Sequence, residues 1–151
     1  MQVVVDTREQ TPWTFEGQVG ISLVRRKLTA GDYSVAGLED RVAIERKSLD
    51  DWTGTVLRER TRFYKELALL RAFDFRAVIV EAGIREIMAG RYRSQARPEA
   101  VLGFVAEVTV GQCVPVYLAG SRAEAQILAG ALLRMAGKKI SSSPAAPAAE
   151  E

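Results

Sequence analysis

Histidine is absent from the 151 residues. That excludes a Ser-His-Asp triad, a Cys-His pair and a histidine-based zinc site. Acid–base and metal chemistry has to come from carboxylates, Lys, Arg, Tyr or Ser. A single cysteine, Cys113, excludes an internal disulfide framework and a thiolate metal cluster; it reads as a small buried hydrophobe beside Val114. No apolar run approaches the ~18 residues that a membrane span needs. The opening Met1-Gln2-Val3-Val4-Val5-Asp6 lacks the basic stretch and long apolar region of a signal peptide. These absences predict an intracellular protein of the cytoplasm or nucleoid, neither secreted nor partnered with a membrane. A large excess of one charge sign is also lacking, because 21 Lys and Arg against 19 Asp and Glu leave a net charge of only +2. Its distribution says more: between Arg41 and Arg97, 13 Lys and Arg stand against 8 Asp and Glu, and a locally basic middle suits a polyanionic partner.

What is present is enough apolar material, 48% of the chain, to bury the core of one domain. Gln2 to Val5 reads as a buried strand, ended by the polar loop Asp6 to Trp13. Ile21 to Leu28 is a second strand. Tyr33–Ala36 and Arg41–Lys47 read as two arms of a hairpin across Gly37-Leu38-Glu39-Asp40. Ser48 is a candidate helix cap, with Asp50 and Asp51 in the first turn. Leu49, Trp52, Val56, Phe63, Leu67 and Leu70 then follow at helical spacings, Arg60 fitting that stripe poorly. Arg76 to Glu81 is a buried strand and Ile84 to Ala89 a short helix. Pro98 opens a helix to about Gly111, Val114–Leu118 is an edge strand, and Ser121 caps a helix from Arg122 to Met135. Strands first alone and then alternating with helices predict an α/β fold, a mixed central sheet flanked by helices. The domain is expected over 1–140. From Ser141 on, Ser, Pro, Ala and Glu predict a disordered tail over 141–151.

The chemistry concentrates in Gly31-Asp32 and, 13 positions beyond Asp32, Glu45-Arg46-Lys47. Residues i and i+2 of a strand share a face, so Glu45 and Lys47 point one way and Arg46 the other. If the hairpin forms, Asp32 lies at the end of one arm beside the end of its partner. Two carboxylates and an ammonium on a sheet edge suit Mg²⁺, which takes oxygen ligands and keeps several waters. Lys47 suits water orientation or stabilisation of phosphoryl charge. An ordinary salt-bridged strand surface is the competing explanation.

These residues resemble the nuclease domain of the XPF-type structure-specific endonucleases, a branch of the PD-(D/E)xK superfamily with a restriction-endonuclease-like fold. That family's Gly-Asp, then Glu-Arg-Lys, three residues and Asp stand here as Gly31-Asp32 and Glu45-Arg46-Lys47-Ser48-Leu49-Asp50-Asp51. Its leading Val-Asp-x-Arg-Glu stands as Val5-Asp6-Thr7-Arg8-Glu9. Weaker similarities run through Arg62-Phe63, Val80-Glu81, Tyr92-Arg93-Ser94-Gln95 and Val114-Pro115-Val116, so that the likeness extends from Val3 to Met135. The resemblance implies a divalent-metal-dependent DNA endonuclease using Mg²⁺ or Mn²⁺. Asp32, Glu45 and the Arg46 carbonyl would hold the metal, and Lys47 would be the catalytic lysine. Asp6 would be a further acidic residue of the site; Arg8, Arg46 and Asp51 would support it, through ion pairs that fix the carboxylates or as purely structural pairs. Glu9 reads as a solvated loop charge ahead of a helper carboxylate. The tandem helix-hairpin-helix and helicase parts of larger members have no counterpart in these residues, so the resemblance is to a stand-alone form. Branched or flapped DNA is the expected substrate, with a homodimer formed through the C-terminal helices.

Arg58, Arg62 and Lys65, four and three apart, are expected on one helix face in contact with phosphates or, blandly, solvated beside Glu59 and Glu66. Arg91, Arg93, Gln95 and Arg97 form a second candidate DNA-contact loop, with Tyr92 a candidate for stacking. Trp13 and Phe15 read as core covers. Two other functions compete with the enzyme: a non-cleaving DNA-binding or scaffold subunit, which would lack acidic ligands or the lysine, and a structural interaction domain with a salt-bridged surface.

Overall fold

The computed structural model describes residues 1–144. Most of the tail expected from Ser141 falls on 145–151 and so lies outside the described residues. Among the described residues, the strands are β1 Gln2–Asp6, β2 Ser22–Arg26, β3 Tyr33–Val35, β4 Val42–Lys47, β5 Phe75–Val80 and β6 Val116–Leu118. The helices are α1 Leu49–Leu57, α2 Arg60–Leu70, α3 Ile84–Met88, α4 Pro98–Ala106, continued by a π-helical turn Glu107–Gly111, and α5 Arg122–Ser141. The strands make one mixed sheet in the order β2-β1-β3-β4-β5-β6, the expected α/β architecture.

Side-chain alternation along each strand sorts residues between two cores. On the front face Ala43, Val78 and Val80 pack under Trp52, Phe63, Leu67, Val101 and Phe104 of α1, α2 and α4. On the back face Val3, Val5, Tyr33, Val35, Val42, Ile44 and Ile79 pack under Ala125, Ala129, Leu133 and Ala136 of α5. Trp13 and Phe15 belong to the back core, both buried, as expected of core covers. The same alternation puts Asp6, Glu45 and Lys47 at the front and Arg46 and Glu81 at the back.

Three local expectations need correction. The pattern from Ser48 to Leu70 is two helices, broken at Arg58-Glu59, where φ reaches −125° and −119°. A continuous helix would drive Arg60 into the apolar stripe. With the break, its Nε donates to the Val56 carbonyl at 2.8 Å and its guanidinium lies 4.8 Å from the Phe104 ring. Cys113 is exposed, with a left-handed φ of 55°. It belongs to the reversal after the π-helical turn, and Val114 is buried in its place. The last helix runs to Ser141, past Met135: Ala136 and Ile140 continue the stripe of Leu133 against the back core, and Lys138 and Lys139 sit at the negative helix end.

Candidate active site

The register of three strands brings the motif residues together. β3 runs antiparallel to both neighbours, with Val5 opposite Tyr33 and Tyr33 opposite Ile44. Asp6, Asp32 and Glu45 therefore end up side by side where β1 and β4 finish and β3 begins. The backbone seals this corner: Asp6 N–H donates to the Asp32 carbonyl and Asp32 N–H to the Ile44 carbonyl, each at 2.8 Å. Gly31 is required here. Its φ is +74°, and a Cβ would come within 3.1 Å of the Ile44 carbonyl oxygen and 3.2 Å of the Ala43 side chain.

Asp32, Glu45 and Lys47 line a cleft of about 330 Å³, together with Asp6, Arg8, Glu9, Gly31, Arg62 and Glu66. One Asp32 oxygen accepts the Arg46 amide at 2.8 Å. Among the described residues, no donor closes on Glu45 nearer than Lys47 Nζ, at 3.9 Å. Lys47 is itself held, its Nζ 4.7 Å from the centroid of the Phe63 ring. The Arg46 carbonyl lies on the edge of β4 facing β3. Odd-numbered β4 carbonyls such as Lys47 bond β5, whereas the even-numbered groups of Ile44 and Arg46 engage Asp32.

Two carboxylates so placed cannot both ionise cheaply. Burial pushes the Asp32 carboxyl up to about 6; the Arg46 amide and Lys47 oppose the shift, and the charge of Glu9 adds to it. Burial and then the Asp32 charge push Glu45 well above the usual carboxylate range. Asp6 behaves oppositely. Burial raises it, but hydrogen bonds from Arg8 and the Leu28 amide leave it lowered overall. Its oxygens accept four donors: Arg8 N and Nε at 2.8 Å, Arg8 Nη2 at 3.1 Å and Leu28 N at 2.7 Å. Asp6 is thus an anchor for Arg8 at the cleft wall, while Asp32 and Glu45 are under-neutralised acceptors. Among the described residues no three Asp, Glu or Cys side chains converge as a metal cage. A cation here would take protein oxygens from Asp32, Glu45 and the Arg46 carbonyl, and the rest from water and substrate, which suits Mg²⁺ and Mn²⁺.

Several expected neighbours sit elsewhere. Arg46 pairs with Glu81 (2.6 Å) and Glu9 (3.3 Å), whereas Asp51 is exposed on α1 and its amide serves the Ser48 cap; an Arg46–Asp51 pair does not form. Glu9 is no solvated loop charge, because its side chain is only 12% exposed and lines the cleft. Arg58, Arg62 and Lys65 do not share one face, since Arg58 falls in the break before α2. Arg62 reaches the cleft and Lys65 is exposed on α2. Arg58 instead meets Arg93, Ser94 and Gln95 in a groove of about 350 Å³ floored by Gly54 and Leu57. Arg93 is tied to Asp50 by its amide at 3.1 Å and its Nε at 3.7 Å. Arg91 and Arg97 are exposed, Arg97 as the residue capping α4. Tyr92 closes its own loop, donating to the Ala96 carbonyl at 2.7 Å. Glu81 was not among the expected site residues, although it ends an apolar strand and belongs to the Val80-Glu81 similarity to the family.

The raised pKa values carry a sign. Folding favours the protonated forms of Asp32 and Glu45, so without metal the pair costs stability above pH about 6, a cost relieved as pH falls towards the ordinary carboxylate range. Asp32→Asn keeps an oxygen for the Arg46 amide and removes the charge. It is expected to stabilise the metal-free protein at pH 7.5 by about 1–3 kcal/mol and to change it little near pH 4. Urea denaturation in chelator at both pH values measures this.

Residues 5–129 match the family model of the ERCC4 domain. No curated protein sequence matches the chain significantly. Among solved structures the chain is similar to XPF from Aeropyrum pernix, with a TM-score of 0.71 at 18% identity over 93% of this chain and 67% of that one. It is similar as well to XPF from Aeropyrum pernix in complex with DNA, with a TM-score of 0.67 at 19% identity over 91% of this chain and 66% of that one. At these identities the likeness is one of fold, and this chain spans about two thirds of their length. The family match runs from the end of β1 through β6 into α5 and takes in the cleft residues, and on that breadth the chain belongs to the ERCC4 domain family.

Proposed function

We propose that this chain is a divalent-metal-dependent DNA endonuclease that hydrolyses phosphodiester bonds in branched or flapped DNA. The observation that carries the reading is the pair Asp32 and Glu45, half-buried side by side in an open cleft with the Lys47 ammonium 3.9 Å from Glu45. An uncompensated carboxylate pair is costly unless a cation is meant to complete it. Asp32, Glu45 and the Arg46 carbonyl would hold Mg²⁺ or Mn²⁺; bound there, such an ion supplies Lewis-acid polarisation and lowers the pKa of a bound water. Lys47, fixed over Phe63, directs its ammonium into the cleft, where it can donate to a phosphate oxygen or to the attacking water. Arg8, held by Asp6, and Arg62 offer positive charge at the cleft wall for the flanking phosphates. Asp51 borders this group from an adjoining groove that it lines with Lys47 and Arg58. The complex of Aeropyrum pernix XPF with DNA supports DNA as the partner.

The grip on DNA extends from Arg62 and Lys65 on α2 to the groove of Arg58, Arg93 and Gln95, with Arg91 and Arg97 exposed on the same loop. A second copy would add to it. On α5, Ile127 and Met135 are 64% and 57% exposed and, with exposed Ala131 midway, lie four apart on one helix face. We read this stripe as the contact of a homodimer, which gains DNA affinity by engaging two sites at once.

Across flaps, forks, junctions, nicked and single-stranded DNA, cleavage should favour branched substrates with Mg²⁺ or Mn²⁺ and vanish with chelator. Asp32→Ala, Glu45→Ala and Lys47→Ala should each abolish it, since removing one member of a catalytic unit costs about as much as removing all. Wild-type rates in all three variants, or full activity in chelator, would exclude the mechanism. Replacing Arg58, Arg62 and Arg93 together with Ala should flatten the plot of log K against log salt by ~0.9 per lost contact on duplex DNA; an unchanged slope returns these groups to solvated charge. Light scattering should give a dimer for the wild type and a monomer for Ile127→Glu, and a wild-type monomer at high concentration removes the assembly claim alone.

A further inference from the structure

The back face of the sheet, directly behind the ligand pair, holds a charge network that the chemistry above leaves without a purpose. Glu81, just beyond the end of β5, has a side chain only 9% exposed. Its oxygens accept from three distant segments: Trp13 Nε1 at 2.7 Å, Arg46 Nε at 2.6 Å and Nη2 at 3.2 Å, and Arg122 Nη1 at 3.2 Å. The Arg46 contact is side-on and bidentate, which fixes the plane of the guanidinium as well as its distance.

Each of the first two contacts ends one residue away from a proposed metal ligand. Arg46 follows Glu45, and its amide holds the Asp32 carboxylate. Trp13 stacks on Tyr33 with ring centroids 4.6 Å apart and donates its own amide to the Tyr33 hydroxyl at 2.7 Å, and Tyr33 follows Asp32. Strand alternation makes this possible: the ligands face the front, their chain neighbours face the back, and one carboxylate reaches Arg46 directly and Tyr33 through Trp13. Arg122, by contrast, links Glu81 to α5 and to the carbonyls of Thr11 and Pro12, and makes no contact with Arg46.

We propose that Glu81 is a positioning residue for the metal site, fixing Asp32 and Glu45 from behind through Arg46 and through the Trp13–Tyr33 stack. The inference rests on the reading of Asp32 and Glu45 as metal ligands. Groups that orient metal ligands are worth roughly 10–100-fold in metal affinity, because a ligand free to rotate loses its preorganised geometry.

The test is Mn²⁺ binding to the metal-free full chain by titration calorimetry, with thermal melting as a check on folding. Glu81→Gln keeps an acceptor for Trp13 but loses the charged bidentate partner of Arg46. It should weaken Mn²⁺ binding about 10-fold or more. Arg122→Ala loosens the tie to α5 while leaving the Arg46 pair intact, and should bind Mn²⁺ within about twofold of wild type even if it melts earlier. Wild-type affinity in Glu81→Gln, or equal weakening in both variants, would overturn the proposal and reduce Glu81 to a structural staple. If Glu81→Gln fails to fold, Glu81→Asp carries the same comparison: its shorter arm cannot keep both Arg46 contacts, so affinity should fall, and unchanged affinity overturns the proposal. A wild-type chain that binds no Mn²⁺ removes the ligand reading itself, and this inference with it.

Discussion

Asp32, at the start of β3, and Glu45, near the end of the antiparallel β4, are held opposite one another by a register that leaves them no distance to separate. The Asp32 amide is bonded to the Ile44 carbonyl and its carboxylate to the Arg46 amide, so neither group can relax away without breaking the sheet. Burial then makes both charges expensive, and Lys47 at 3.9 Å offsets only part of the cost. Much of the surrounding structure is explained by that conflict. Gly31 lets the backbone close against β4, Asp6 is quietened by Arg8 and Leu28, and Phe63 keeps the lysine in place.

The two faces of the sheet divide the work. The front is a cleft with charges left open to what enters it. At the back the charges are closed on one another, Arg46 between Glu9 and Glu81 and Glu81 between Arg46 and Arg122. Buried ion pairs of this kind are weak contributors to stability because desolvation offsets their attraction, but they restrict geometry. A site that must hold two like charges at fixed separation benefits more from that restriction than from a few kcal/mol.

The break between α1 and α2 has a comparable logic. A straight helix from Ser48 to Leu70 would have carried Arg58, Arg62 and Lys65 along one side. The reversal at Arg58-Glu59 lets Trp52 and Phe63 meet edge to face at 5.9 Å and packs both against Phe104. It also sends Arg58 to the groove of Arg93 and Gln95, and Arg62 to the cleft. The basic residues thereby line two grooves instead of one ridge.

Strand alternation and apolar periodicity, both local properties, were enough to predict from the sequence the mixed sheet, the hairpin that sets Asp32 beside Glu45, the shared face of Glu45 and Lys47, and the burial of Trp13 and Phe15. The motif spacing pointed to the family for the same reason, because its residues lie on adjacent strands joined by one turn. Local signals stop where the deciding partner is far along the chain. Arg46 chooses Glu81, 35 residues on, over the nearby Asp51. Glu9 is drawn inward by that same arginine, Cys113 is turned outward by the reversal after the π-helical turn, and Arg60 leaves the apolar stripe for the Phe104 ring. Each of these was settled by packing between segments, which sets burial and charge partners together and leaves no periodic trace in the sequence.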